Sequence, residues 1–273
     1  MDPVFPALDL IRGLVKPVGM FPLRDHNPSG RPPIIVHLLI GANVLIFLLY
    51  WLGLGSDRAI GQFYMTWGLV PARISFGEGY ETFVTSMFLH GGWMHLLGNM
   101  LFLWIFGDNL EDRLGHGRFA LFYLASGLAA AGLQFLADPQ SMVPMVGASG
   151  AIAGVMGGYL LLYPRARVDV LFIFIIFFRI FPIPAWIVLG LWFGMQIFGG
   201  LSTPTEGGGV AYLAHIGGFV AGLALIVPLW LRAGGPVFWQ QTHGIPPNPV
   251  ATYSVRRSSV PRVGRRGPKG PWG

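Results

Sequence analysis

Apolar runs of about twenty residues recur along this chain, the length a helix needs to cross a bilayer core about 30 Å thick. Residues 34–54 form the first, entered after Pro32-Pro33. Residues 83–106 form the second, whose first part through Gly91-Gly92 also fits a re-entrant segment or loop. Residues 119–137, 147–163, 183–198 and 210–231 follow. Only 11% of the 273 residues are charged, against about 25% in an ordinary soluble domain. The expected fold class is therefore all-α, a polytopic membrane protein with a bundle of six transmembrane helices.

Between the first two runs, residues 55–82 are too polar to span. Residues 168–178 are apolar but short, and Arg179 and Pro182 break them off. They are read as an interfacial segment leading into the fifth span. Three regions result: a cytoplasmic N-terminal segment (1–33), a six-helix membrane domain (34–231), and a basic Pro/Gly-rich cytoplasmic tail (232–273) expected to be disordered. The first 30 residues hold no long apolar stretch and do not read as a cleaved signal peptide.

Charge sets the topology. Arg12, Lys16, Arg24, Arg31, Arg113, Arg118, Arg165, Arg167, Arg232 and the tail cations fall on one side of the six spans. Arg58 and Arg73 fall opposite, and Arg179 is left unplaced. The positive-inside rule then makes both termini cytoplasmic. The net charge of +6 is explained by this asymmetry, and no nucleic-acid partner is expected. Cysteine is absent, which excludes disulfides, thiolate metal sites and a cysteine nucleophile.

Against this apolar background, polar side chains within the spans are functional candidates by default. Ser149 lies in Gly147-Ala148-Ser149-Gly150 at the start of the fourth span, and His215 lies in the sixth. A hydroxyl nucleophile and an imidazole base are the minimum set for acyl transfer. At 1.5 Å per residue, Ser149, His215 and His95 stand roughly 22, 25 and 20 Å above the arginine-rich ends of their spans. They share one level, some way below the outer surface. Gly150 and Gly154 on the fourth span and Gly218 and Gly222 on the sixth have the small-residue spacing that lets membrane helices approach closely. Such stripes are also general packing devices.

His95 and Asn99 are four apart and share a helix face. Both can donate hydrogen bonds to an oxyanion formed at Ser149, as can the Ser149 backbone N–H. Interhelical hydrogen bonding is the structural alternative for this pair. His90 lies near the outer entrance, where a water or loop role is at least as plausible as chemistry. No acidic residue falls at the level of Ser149, so a dyad is expected, with the imidazole oriented by packing or by a backbone group. No cofactor and no metal site is expected: HExxH is missing and nearby carboxylate ligands are lacking.

From residue 34 to residue 231 the pattern resembles the rhomboid family of intramembrane serine proteases in its bacterial-type six-span form. The resemblance is carried by His90, His95 and Asn99 within FLHGGWMHLLGNM, by Glu111-Asp112-Arg113-Leu114-Gly115, by Gly147-Ala148-Ser149-Gly150, and by Ala214-His215 with Gly218 and Gly222. It implies Ser149 as nucleophile, His215 as general base, and His95, Asn99 and the Ser149 amide as the oxyanion site. Implied partners are the lipid bilayer and membrane-spanning protein substrates, cleaved in or near the outer half of the membrane. The implied location is a bacterial inner (plasma) membrane.

Two departures bear on how the site is held. Ala153 stands where some members carry an aromatic residue packed on the histidine, and Trp67 and Arg73 are separated where an adjacent Trp-Arg pair is common. The outer end of the fifth span, running into Ser202-Thr203-Pro204, is read as a lateral gate. Trimming Trp192 or Phe198 there is expected to preserve or raise activity. The rival readings are an inactive relative that binds membrane proteins and, less favoured, a transporter. A transporter would call for ionisable groups along a pathway or a repeated architecture.

Overall fold

The computed structural model describes residues 19–26, 29–174, 177–202 and 210–248. Within them, α1 (Ile34–Gly53), α6 (His116–Ala137), α8 (Ala185–Ser202) and α9 (Tyr212–Arg232) are long and apolar enough to cross a membrane. Two further helices match the remaining expected spans in position. One is α5 (Trp93–Leu114), which carries Asp108, Glu111, Asp112 and Arg113 near its end. The other is α7 (Ser149–Leu162), apolar but only 14 residues long. The chain thus has the build of a multi-pass helical membrane protein.

The shortest of these six helices is the most enclosed. Every residue of α7 from Gly150 to Tyr159 is buried, because α5, α6, α8 and α9 all pack against it. At 1.5 Å per residue it is about 21 Å long, short of a full bilayer core. Its first residue is therefore inside the bundle, below one surface.

Glycine decides how closely α7 meets α9. A Cβ built on Gly218 would stand 1.9 Å from the Gly150 carbonyl oxygen, and one on Gly222 would stand 2.0 Å from that of Gly154. The two backbones touch, as small-residue stripes permit in lipid, where packing replaces hydrophobic burial between helices.

Glu111 follows the same accounting of polar groups. The Pro33 N-cap of α1 has no side chain to offer the helix's first N–H groups, which need partners from elsewhere. Ile35 N–H donates to Glu111 Oε1 and Val36 N–H to Oε2, both at 2.9 Å. Glu111, which in the sequence stands in the motif after the second span, is 1% exposed and holds the start of α1 against the end of α5. His116 Nδ1 lies 2.5 Å from Oε1, and Gly30 N–H donates to the adjoining Asp112.

The purely helical expectation needs correction. β1 (Gly19–Asp25), β2 (Arg167–Phe174) and β3 (Phe177–Pro184) form an antiparallel sheet in the order β1-β2-β3. The interfacial segment expected over 168–178 is thus a strand pair, and the fifth helix starts at Ala185 rather than at residue 183. Pro182 and Pro184 explain the choice. Neither fits a helix interior, but both are tolerated on an edge strand, where an N–H can be spared. β3 is such an edge, with Pro182 opposite Asp169 and Arg179 opposite Phe172.

The sheet joins the C-terminal end of α7 to the N-terminal start of α8, so Arg179 falls at the arginine-rich end. Asp25, from the segment expected to precede the domain, accepts from Tyr159 Oη at 2.6 Å and Asn109 Nδ2 at 2.8 Å. His26 Nε2 lies 2.5 Å from Asp169 Oδ1.

The other end is built from α2 (Asp57–Trp67), α3 (Pro71–Ser75), α4 (Thr82–Thr85) and a 3-10 turn at Ser86–Phe88. Ser56 caps α2 by accepting from Ala59 N–H. Arg73 Nη1 donates to the carbonyls of Met65 at 2.8 Å and Thr66 at 3.0 Å. A separated arginine therefore ties α2 to α3 without an adjacent tryptophan.

The C-terminal region also departs from expectation at its start. Residues 236–242 form α10 (Pro236–Thr242), and Trp239 Nε1 donates to the Leu161 carbonyl at 2.8 Å. The Pro236 N1 position and the buried Phe238 favour an ordered turn of helix there. The remainder of the expected tail, from 249, lies outside the described residues. So do Arg12, Lys16 and residues 203–209 of the expected gate.

Candidate active site

Ser149 is the first residue of α7 because Gly147 turns the chain into it. Gly147 has φ +135°, a conformation side-chain-bearing residues rarely adopt, and its N–H donates to the Ser86 carbonyl at 2.9 Å. A Cβ at Gly147 would lie 2.8 Å from His95 Nε2 and 3.4 Å from Ser149 Oγ. The glycine therefore leaves room for the histidine and the serine to face the same space. The first N–H groups of α7 lack intrahelical partners and open onto that space.

His215 approaches from α9 across the glycine contact. Its Nε2 lies 2.7 Å from Ser149 Oγ, and its Nδ1 lies 2.8 Å from Gln196 Oε1. Gln196 Nε2 donates to the Trp192 carbonyl at 3.2 Å, so its oxygen is the atom left to face His215. A carbonyl oxygen only accepts, so Nδ1 carries the proton and Nε2 is the acceptor facing the serine hydroxyl. Packing or a backbone group is the sequence expectation for what orients the ring; at Nδ1 the structure places a side-chain amide from α8. Gln196 is the one polar side chain in the apolar run of α8 apart from the terminal Ser202. That isolation was the signal available in the sequence.

The aromatic partner of His215 also comes from α8. Trp192 lies with its ring centroid 5.7 Å from that of His215, while Ala153 is buried within α7. Trp192 and Phe198, grouped in the sequence reading as gate residues, consequently separate. Trp192 supports the imidazole, whereas Phe198 is 73% exposed.

On α5, Gly91 N–H points to His95 Nδ1 at 3.2 Å. With Nδ1 accepting, a neutral His95 carries its proton on Nε2, the nitrogen turned towards Gly147 and Ser149. Asn99 is buried, and its Nδ2 has no hydrogen-bond partner. His95, Asn99, Ser149 and His215 line one cavity of about 650 Å³, which Trp192 also lines and to which no carboxylate contributes. His90 does not line it. Its ring packs edge-on against His95 at 5.1 Å, and its backbone is held by Tyr50 and Tyr64, whose hydroxyls donate to the His90 carbonyl at 2.6 and 2.7 Å. Among the described residues, no group of three or more His, Cys, Asp or Glu side chains is arranged to hold a metal ion.

A multi-pass helical membrane protein with a hydrogen-bonded serine and histidine between its helices is the class these features define. The chain belongs to the rhomboid family, whose model, described as the Rhomboid domain, matches residues 77–232. It is 34% identical over 201 residues to Rhomboid protease GluP of Bacillus subtilis, covering 73% of this chain and 36% of that protein. It is 29% identical over 203 residues to Rhomboid protein 1, mitochondrial, of Saccharomyces cerevisiae, covering 71% and 52% respectively. Rhomboid-like protein 11, chloroplastic, of Arabidopsis thaliana is 33% identical over 197 residues, covering 70% and 66%. The matched region is thus about half of the yeast protein and about a third of the Bacillus one.

Proposed function

We propose that this chain is an intramembrane serine endopeptidase that cleaves transmembrane protein substrates. The observation that carries the proposal is the 2.7 Å contact between Ser149 Oγ and His215 Nε2 inside a membrane-embedded bundle. As Ser149 Oγ attacks the scissile carbonyl carbon, its proton passes to His215 Nε2. The carbonyl π pair moves onto oxygen, and His95 Nε2–H, Asn99 Nδ2–H and the Ser149 N–H are the donors that stabilise it. When the intermediate collapses, the imidazolium returns its proton to the departing amine and an acyl-enzyme remains. Water then repeats the cycle with His215 again as base, releasing the carboxyl product and free Ser149.

In this proposal α1, α5, α6, α7, α8 and α9 are six spans, and the arginine-rich end, with both ends of the membrane domain, faces the cytoplasm. Ser149 then lies about 5–10 Å below the outer surface of the bilayer. Water enters from that surface. The substrate helix enters from the lipid and unwinds, because a helical peptide bond has its carbonyl hydrogen-bonded and shielded. The family name of GluP as a protease supports the same activity here.

The test is cleavage of a transmembrane test substrate by the purified protein in liposomes. Ser149→Ala should abolish it while leaving the melting temperature unchanged. Cleavage by the variant at the wild-type rate would remove Ser149 from the mechanism.

A further inference from the structure

Gln196 is out of place by every packing criterion. It is 7% exposed, yet α8 is the least enclosed of the apolar helices: only Ala185, Leu189 and Gln196 are buried along its 18 residues. The helix repeat explains its direction, since Leu189, Trp192, Phe193 and Gln196 fall at positions i, i+3, i+4 and i+7 and share one stripe. Three of these four are apolar. A fourth apolar residue would complete the stripe, and burial of an amide is unfavourable unless both its ends find partners. Both do: Oε1 at His215 Nδ1, and Nε2 at the Trp192 carbonyl.

The helices that hold the site differ in how firmly they are fixed. Ser149 and His215 ride on α7 and α9, whose backbones touch at Gly150–Gly218 and Gly154–Gly222. Their separation is set by that contact. Gln196 rides on α8, which meets α9 through side chains: Phe193 stacks on Phe219 with centroids 4.3 Å apart, and Gly199 receives the ring of Tyr212. On the exposed side of α8, a Cβ built on Gly190 or Gly194 would meet nothing within 4 Å.

We infer that Gln196 is a positioning residue for His215: it fixes the imidazole with its proton on Nδ1, and, being on α8, makes the poised base depend on that helix being packed against α9. This rests on the proteolytic reading above, with an amide in the place a triad gives to a carboxylate. A hydrogen bond at one ring nitrogen determines which tautomer the other presents. Without Oε1 the ring is free to turn or to place its proton on Nε2, and Nε2 then cannot accept from Ser149.

The groups facing His215 are Ser149 from α7, Trp192 and Gln196 from α8, and His95 from α5, the last being the titratable one. The pH dependence of cleavage separates orientation from mere packing. The test compares the full-length protein in liposomes with Gln196→Met, which keeps length and volume, and with Gln196→Glu, which keeps the acceptor and adds charge. kcat, KM and the acid limb of kcat against pH are measured on a transmembrane peptide. Gln196→Met should lower kcat about ten- to a hundredfold, by analogy with the range seen when a group orienting a metal-ligating histidine is lost, with KM within about twofold.

Because His215 must be neutral to accept a proton, a carboxylate at 196 should move the acid limb to higher pH, and methionine should move it lower than glutamine. A purely structural role predicts the same limb for all three. If Gln196→Met keeps both the wild-type kcat and the wild-type acid limb while Ser149 is still labelled by a fluorophosphonate, the inference is wrong and the serine reading stands. If the wild-type protein is not labelled at Ser149 at all, both fall together.

Discussion

Asn99 is buried and lines the cavity with Ser149, and its amide nitrogen donates to none of the described residues. It is therefore available to an oxyanion formed there, an interaction gained in the transition state. His95 complements it from one turn earlier on α5, its Nε2 proton held in place by the Gly91 N–H at Nδ1. Replacing either His95 or Asn99 with Ala should lower kcat about ten- to a thousandfold. A change confined to thermal stability, with kcat unaltered, would return the pair to interhelical hydrogen bonding. Trp192→Ala should also lower activity, by loosening the His215 ring, whereas Phe198→Ala should not. His95, Asn99, Ser149 and His215 stand out in the sequence as rare polar positions in apolar runs, whereas Trp192 reads there, with Phe198, as a gate residue. The function of Gln196 was not legible there. One amide in a span is equally consistent with packing, and nothing in sequence spacing ties residue 196 to residue 215.

Among the elements, α7 and α9 meet with no tolerance for side chains. Gly222→Leu would drive its Cβ to 2.0 Å from the Gly154 carbonyl, and separation of the helices would carry Ser149 away from His215. Overpacking of this kind destabilises by about 1–3 kcal/mol or more. The variant should therefore lose both thermal stability and cleavage, while Gly190→Ala, which meets nothing within 4 Å, should lose neither. A Gly222→Leu protein of wild-type stability would contradict the close contact.

Glu111→Ala is the corresponding test at the opposite end. It would strand the Ile35 and Val36 N–H groups, and the melting temperature should fall by an amount matching about 1–3 kcal/mol for each buried unpaired group. Hydropathy made the helices visible but could not expose the β2–β3 pair. A run apolar at nearly every position has neither the period of a strand nor the length of a span, and Arg179 and Pro182 read in the sequence only as breaks.

For the whole molecule, α7 is the most enclosed of the six helices proposed as spans and α8 the least, which under the proposed function separates the chemistry from the access route. The short α7 sets the depth of Ser149, and the cavity of about 650 Å³ lies between α5, α7, α8 and α9. Cysteine is absent from the chain, so engineered thiols have no background. Leu97→Cys and Phe198→Cys, both at exposed positions on α5 and α8, are the pair to join with flexible bifunctional maleimides of increasing length. Bridging should suppress cleavage of a transmembrane substrate at least about tenfold, by closing the route from the lipid, while Ser149 still reacts with a small fluorophosphonate. Equal cleavage before and after bridging would contradict entry between these helices. The order of the long apolar helices was readable from hydropathy. Which helix is least enclosed was not, because α8 is as apolar as its neighbours and differs from α7 in what packs around it.

The central claim is that Ser149 is a nucleophile made reactive by His215. Fluorophosphonate labelling of the purified protein, with the modified peptide located by mass spectrometry, measures this directly. A single adduct on Ser149 is predicted, with the labelling rate reduced at least about a hundredfold in His215→Ala. An adduct on another serine, or an undiminished rate without His215, would contradict it.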